Sequence, residues 1–120
     1  MSGGVKKMDC IFCKISKGEI PVNLVYQDDK VIAFYDINPV APVHILIVPR
    51  EHIISLLDVE EEKSAIIAHA FKVAKILAIE NNISKNGFRI VNNCGDDGGQ
   101  TVPHIHFHLM GGRNMTWPPG

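Results

Sequence analysis

The stretch His104-Ile105-His106-Phe107-His108-Leu109-Met110 decides how this chain is read. Large apolar residues and imidazoles alternate along it, and side chains on a β-strand repeat every two residues. On a strand, His104, His106 and His108 therefore share one face. Ile105, Phe107 and Leu109 share the other, where they can pack on a helix. Neighbouring imidazoles would stand roughly 7 Å apart along the strand. Gly111-Gly112 ends it.

Working outward, Asp96-Asp97-Gly98-Gly99 reads as a turn leading into this strand, and residues 88–92 form another strand before it. Further upstream, Ile66, Ala70, Val73, Ala74 and Leu77 recur at helical spacing. Asp58 is expected to cap that helix, with Glu61 three residues on in a capping-box arrangement, and Asn81-Asn82 should stop it. Residues 44–48 are a continuous apolar run after His44, as in a buried strand. Residues 23–27 and 31–36, separated by Asp28-Asp29-Lys30, read as a hairpin. Residues 15–20 predict one or two helical turns before Pro21. The order is hairpin, strand, long helix, strand, strand. It predicts an α+β fold with an antiparallel sheet and the helix on one face.

The 120 residues suit one domain, expected over residues 9–120, with residues 1–8 a flexible tail. With 46% apolar and 21% charged residues, the composition is that of a globular protein. The net charge of −1 gives no general attraction to nucleic acid or membrane. The first residues lack the apolar core of a secretory leader. Three cysteines, an odd number, argue against a disulfide framework. A cytoplasmic chain with reduced thiols and no organic cofactor is expected.

Three alternating histidines admit three readings. They can be satisfied structural groups. They can chelate a catalytic metal, since histidines at i and i+2 do so, but the last strand supplies no carboxylate to complete a set. Or a neutral imidazole can attack phosphorus and form a covalent intermediate, its far nitrogen holding the proton against a carbonyl or another histidine. Gly98-Gly99-Gln100-Thr101 just before favours phosphate chemistry, because backbone amides in such a turn can approach an anion closely. Cys10-Ile11-Phe12-Cys13 is a CxxC pair. Alone it is compatible with two buried cysteines, a redox pair, or half of a four-ligand zinc site. Cys94 reads as a small loop residue. His69, in mid-helix, reads as a surface or packing residue.

Asp97-Gly98-Gly99-Gln100-Thr101 followed by the His104-to-Met110 stretch resembles the histidine-triad (HIT) superfamily. Gly111-Gly112-Arg113, Trp117-Pro118-Pro119-Gly120, Asp36-Ile37-Asn38-Pro39 and Ala41-Pro42-Val43-His44 are similar to its Hint branch of purine nucleoside phosphoramidases. The resemblance implies a five-stranded antiparallel sheet with one long helix and a short N-terminal helix. It also implies a homodimer whose sheet continues across subunits. The implied activity is hydrolysis of purine nucleoside 5′-phosphoramidates through a nucleotidyl-histidine. A nucleotide-binding regulatory protein with incidental turnover is an alternative, as is a dinucleoside polyphosphate hydrolase.

The resemblance makes His106 the nucleophile and His108 a phosphate contact. His104 would orient or relay protons, His44 would complete the cluster, and Thr101 would assist the leaving amine. It places Gly99, Gln100 and Asn93 near the phosphate, Asp36 on the ribose hydroxyls and Ile37 against the base of an AMP- or GMP-like ligand. The tail around Trp117 would reach the partner subunit's active site. It also implies a structural zinc held by Cys10, Cys13, His52 and His104, which would take the His104 ring out of acid–base work.

Overall fold

The computed structural model describes residues 9–120, so the tail expected over residues 1–8 lies outside the described part. Five strands form one antiparallel sheet: β1 (Leu24–Gln27), β2 (Val31–Tyr35), β3 (Val43–Pro49), β4 (Phe88–Val91) and β5 (Phe107–Gly111), in the order β1-β2-β3-β5-β4. Two helices complete the fold, α1 (Ile11–Ser16) and α2 (Ser64–Glu80).

The central strands read as continuous apolar runs because both of their faces are covered. Val31, Ala33, Ile45 and Ile47 join Ile105, Phe107 and Leu109 in the core under α2, which contributes Ala70, Val73, Ala74, Leu77 and Ala78. Ile32, Phe34, Leu46 and Val48 lie on the opposite face, packed with Cys10, Phe12, Cys13 and Ile15 of the α1 region. The expected alternation of the histidine stretch is therefore present: its apolar side faces α2 and its imidazole side faces α1.

The Asp28 turn closes the β1–β2 hairpin. Its Oδ1 accepts the N–H groups of Lys30 and Val31, each at 2.8 Å, which a short carboxylate does readily in turns. His69 Nε2 on α2 meets the other oxygen of Asp28 at 2.6 Å. Arg50, just past β3, donates to the Asp28 carbonyl at 2.7 Å and to the Ser16 carbonyl at 2.8 Å. It thereby ties the end of α1 to the hairpin. At the far end of α2, Asn82 turns left-handed at φ 61°, and Ile83 N–H closes the helix on the Ala78 carbonyl. The stop at Asn81-Asn82 is as expected.

Three boundaries differ from the sequence reading. The short helix covers Ile11–Ser16 instead of residues 15–20, because Cys10 serves as its N-cap and its Sγ accepts the Cys13 N–H. The capping box does not form. Ser55 Oγ caps a short 3-10 turn, Leu56–Asp58, and donates to Asp58 at 2.8 Å, so α2 begins only at Ser64. The ladder of β5 begins at Phe107, not His104, because Ile105 N–H is drawn away to the Ile53 carbonyl at 2.6 Å. No helix among the described residues is long and apolar enough to cross a membrane.

Candidate active site and candidate metal centre

On the α1 side of the sheet, β3 and β5 bring His44 and His108 together. Leu46 pairs with His108, so His44 sits on the diagonal of the same face. The rings are tied in a defined order. Val40 N–H donates to His44 Nδ1 at 3.1 Å, which makes Nδ1 the lone-pair nitrogen. Neutral His44 then carries its proton on Nε2, which lies 2.9 Å from His108 Nδ1 and donates to it. Neutral His108 carries its remaining proton on Nε2, the ring corner left for the cleft. These proton positions follow from the hydrogen-bond partners.

His106 is set the opposite way. Its Nδ1–H donates to the His104 main-chain carbonyl at 2.8 Å, leaving the lone pair on Nε2. The His106 and His108 ring centroids are 5.2 Å apart, and both rings line the same cleft. Phe12 stands edge-on to His106 at 5.1 Å, and Asn92 Nδ2 donates to the His106 carbonyl at 2.8 Å. Burial favours the neutral form of these imidazoles. It lowers the pKa of His106 and of His44, opposed by their surroundings. It lowers His108 to about 4, reinforced by His106 and His44 and opposed by Asp36.

His106 and His108 open into a cleft of about 710 Å³. Asp36, Ile37 and Thr101 line it too, as does an apolar wall that includes Ile11, Phe12, Ile15 and Phe34. Ile37 is 91% exposed at the rim. His44 is buried behind His108 and close to Asp36, with Nε2 to Oδ2 at 3.4 Å. Three of the residues expected on the phosphate side, Gly99, Gln100 and Asn93, stand outside the cleft lining. Gly99 and Gln100 donate their N–H groups inside the turn, to the Asp96 and Gly95 carbonyls. The Gln100 carboxamide bonds Ile54 and Val102, and Asn93 Nδ2 braces the Gly98 carbonyl. These groups build the turn that delivers Thr101. The exposed Trp117 does not line this cleft.

His104 belongs to a second cluster. Its side chain is fully buried, and Nε2–H donates to the Pro49 carbonyl at 2.7 Å. Nδ1 faces Cys10 Sγ at 3.3 Å, Cys13 Sγ at 3.6 Å and His52 Nδ1 at 3.2 Å, while Cys13 Sγ lies 3.3 Å from His52 Nδ1. Zinc bonds of about 2.0–2.3 Å in a tetrahedron give ligand–ligand edges of about 3.3–3.8 Å. The four donors all lie within 4.8 Å of one another, with the four closest separations near those edges, and two soft sulfurs with two imidazoles are a closed structural set. Burial, together with His52 and His106, lowers the His104 pKa to about 4 against the effect of the Pro49 bond, leaving Nδ1 available as a ligand.

Asp36, His44 and His108 also converge. A cation on His44 Nε2 would leave that ring with both nitrogens as acceptors, since Nδ1 already accepts from Val40. The trio suits a proton chain better than a metal.

The sequence reading missed Phe12, Asn92 and Val40. An aromatic between two ligand cysteines was the available signal for Phe12. Asn92 and Val40 act on main-chain atoms and leave no motif.

Residues 17–115 match the HIT domain family. A 14 kDa zinc-binding protein of Zea mays is 49% identical over 112 residues, covering 92% of this chain and 87% of that one. The crystal structure of a HIT family hydrolase from Legionella pneumophila superposes with a TM-score of 0.91 at 49% identity, covering 93% and 100% of the two chains. A Zn-bound histidine triad family protein from Mycobacterium smegmatis superposes at 0.76 with 32% identity, covering 91% and 78%. The chain with this pair of histidine clusters belongs to the HIT domain family.

Proposed function

We propose that this chain hydrolyses purine nucleoside 5′-phosphoramidates through a nucleotidyl intermediate on His106. The observation that carries the reading is the fixed tautomer: Nδ1 of His106 is spent on the His104 carbonyl, and its Nε2 lone pair lies beside His108 at the cleft. Its resemblance to a HIT family hydrolase supports the same reaction class.

In the first step, the Nε2 lone pair forms a bond to phosphorus and the P–N bond of the substrate breaks. Thr101 passes a proton to the departing nitrogen. His108 Nε2–H donates to a phosphoryl oxygen as its charge grows, where a preplaced donor contributes most. Water then attacks phosphorus, the phosphorus–His106 bond breaks, and one water proton restores Thr101. Asp36 accepts from the ribose hydroxyls, and the apolar wall with Ile37 takes the base. Gly99, Gln100 and Asn93 hold the turn on the phosphate side.

Cys10, Cys13, His52 and His104 would hold a zinc ion, which would supply a structural link between α1 and the start of the histidine stretch. The open edge of β4, at the end of the sheet order, supports a homodimer with a continuous sheet. The Trp117 tail is assigned to the partner subunit's cleft. A cytoplasmic single domain over residues 9–120, without organic cofactor, nucleic acid or membrane partner, completes the proposal.

The test is His106→Asn with a fluorogenic adenosine phosphoramidate and mass analysis of trapped adduct. Turnover should fall by about 10⁴-fold or more, with nucleotide binding kept. Unchanged turnover would refute the nucleophile assignment.

A further inference from the structure

Val40 contributes nothing to the core through its side chain, which is largely exposed. Both of its main-chain polar groups are nevertheless engaged. The N–H donates to His44 Nδ1 at 3.1 Å, and the carbonyl accepts Arg113 Nε at 2.9 Å. Arg113 also holds the Asn114 carbonyl at 3.1 Å. Beside it, Gly112 adopts φ 93°, and a Cβ there would come within 2.9 Å of Pro42 Cβ. The segment after β5 thus grips the loop between β2 and β3 at two points.

We propose that the Val40 backbone, held by Arg113, sets the direction of the proton chain through His44 and His108, and that Arg113 is a positioning residue for the reaction. The inference rests on the hydrolase reading for its catalytic half only. A neutral imidazole has two tautomers, chosen by its hydrogen-bond partners. With Val40 N–H on Nδ1, His44 must donate from Nε2, His108 must accept at Nδ1, and His108 must present N–H to the cleft. Take Val40 N–H away and His44 can carry its proton on Nδ1. Nε2 then offers a lone pair, His108 turns its proton toward His44, and a lone pair faces the phosphate. The two rings invert together because the 2.9 Å contact needs one proton. Asp36, at 3.4 Å from His44 Nε2, favours the same order from a longer range. Losing the Val40 donor therefore shifts the balance between the two orders, and that shift can be measured.

The test reads the ring nitrogens directly. Long-range proton–nitrogen NMR correlations of nitrogen-15-labelled protein, recorded without substrate above the histidine titration range, report each tautomer. Wild type should show His44 and His108 both protonated on Nε2. Val40→Ala keeps the N–H and should keep this pattern. Val40→Pro deletes the N–H, and Arg113→Ala releases the loop while leaving it chemically intact. Both should move the His44 Nδ1 signal toward the protonated value and lower kcat about tenfold with little change in KM. Arg113→Lys can still donate to the Val40 carbonyl and should recover most of both. The inference is overturned by a wild-type His44 protonated on Nδ1, by unchanged ring signals in both variants, or by shifted signals with full turnover. Because the signals are read without substrate, an inactive wild type would count against the hydrolase reading and leave the proton order standing.

Discussion

The two histidine clusters lie on the same side of the sheet yet differ in how their nitrogens are aimed. Around His104, lone pairs and thiol sulfurs converge on one point, and the outer nitrogen is pinned on Pro49. Around His108, donor and acceptor alternate from Val40 through His44 to the cleft. Convergent acceptors ask for a cation. An alternating chain ends in a donor and asks for an anion. The same side chain four positions along is suited to a cation or to an anion by its neighbours' hydrogen bonds.

That contrast can be broken from either side. The largest effect should come from Cys10→Ser with Cys13→Ser. Zinc content should drop from about one per chain to near zero. Losing a structural metal costs several kcal/mol, which lowers Tm by on the order of 10 °C or more. Protein that remains folded should still form the His106 adduct. Equal, near-zero zinc in wild type and variant would remove the metal centre from the account. Complete loss of adduct in chelated but folded protein would make the metal catalytic.

His108→Gln should act on the other side alone. Zinc content should stay at the wild-type value while kcat falls about 100-fold, the usual scale for a positioned proton donor. A variant that loses zinc as well would erase the distinction between the clusters.

A smaller effect should appear in stability against pH. The His108 pKa lies at about 4 in the folded chain against 6.5 for a free histidine. Between those values the unfolded chain binds the proton and the folded chain does not. The stability contributed by neutral His108 is therefore complete above 6.5 and is lost as pH falls toward 4. The Tm difference between wild type and His108→Gln should narrow across that window. A constant difference would mean that burial does not depress this group.

Much of this was legible because strand alternation and ligand spacing are local. The alternation placed His104, His106 and His108 opposite Ile105, Phe107 and Leu109, and the cysteine pair with His52 and His104 met as the resemblance implied. Groups that act through the main chain were not legible. The sequence carries no mark of Ile53 drawing Ile105 out of the ladder, or of Asn92 reaching the His106 carbonyl. The short helix was misplaced because a thiol is an unusual cap, and the capping box failed because Ser55 captured Asp58 first.

The partner that holds the proton of His106 on Nδ1 is the carbonyl of residue 104, an atom every amino acid carries. The tautomer of the proposed nucleophile therefore depends on the path of the chain at that position and not on the identity of the side chain there. Replacing the side chains that converge on His104 leaves that carbonyl in place, so the Nε2 lone pair of His106 persists wherever packing keeps the chain on this path.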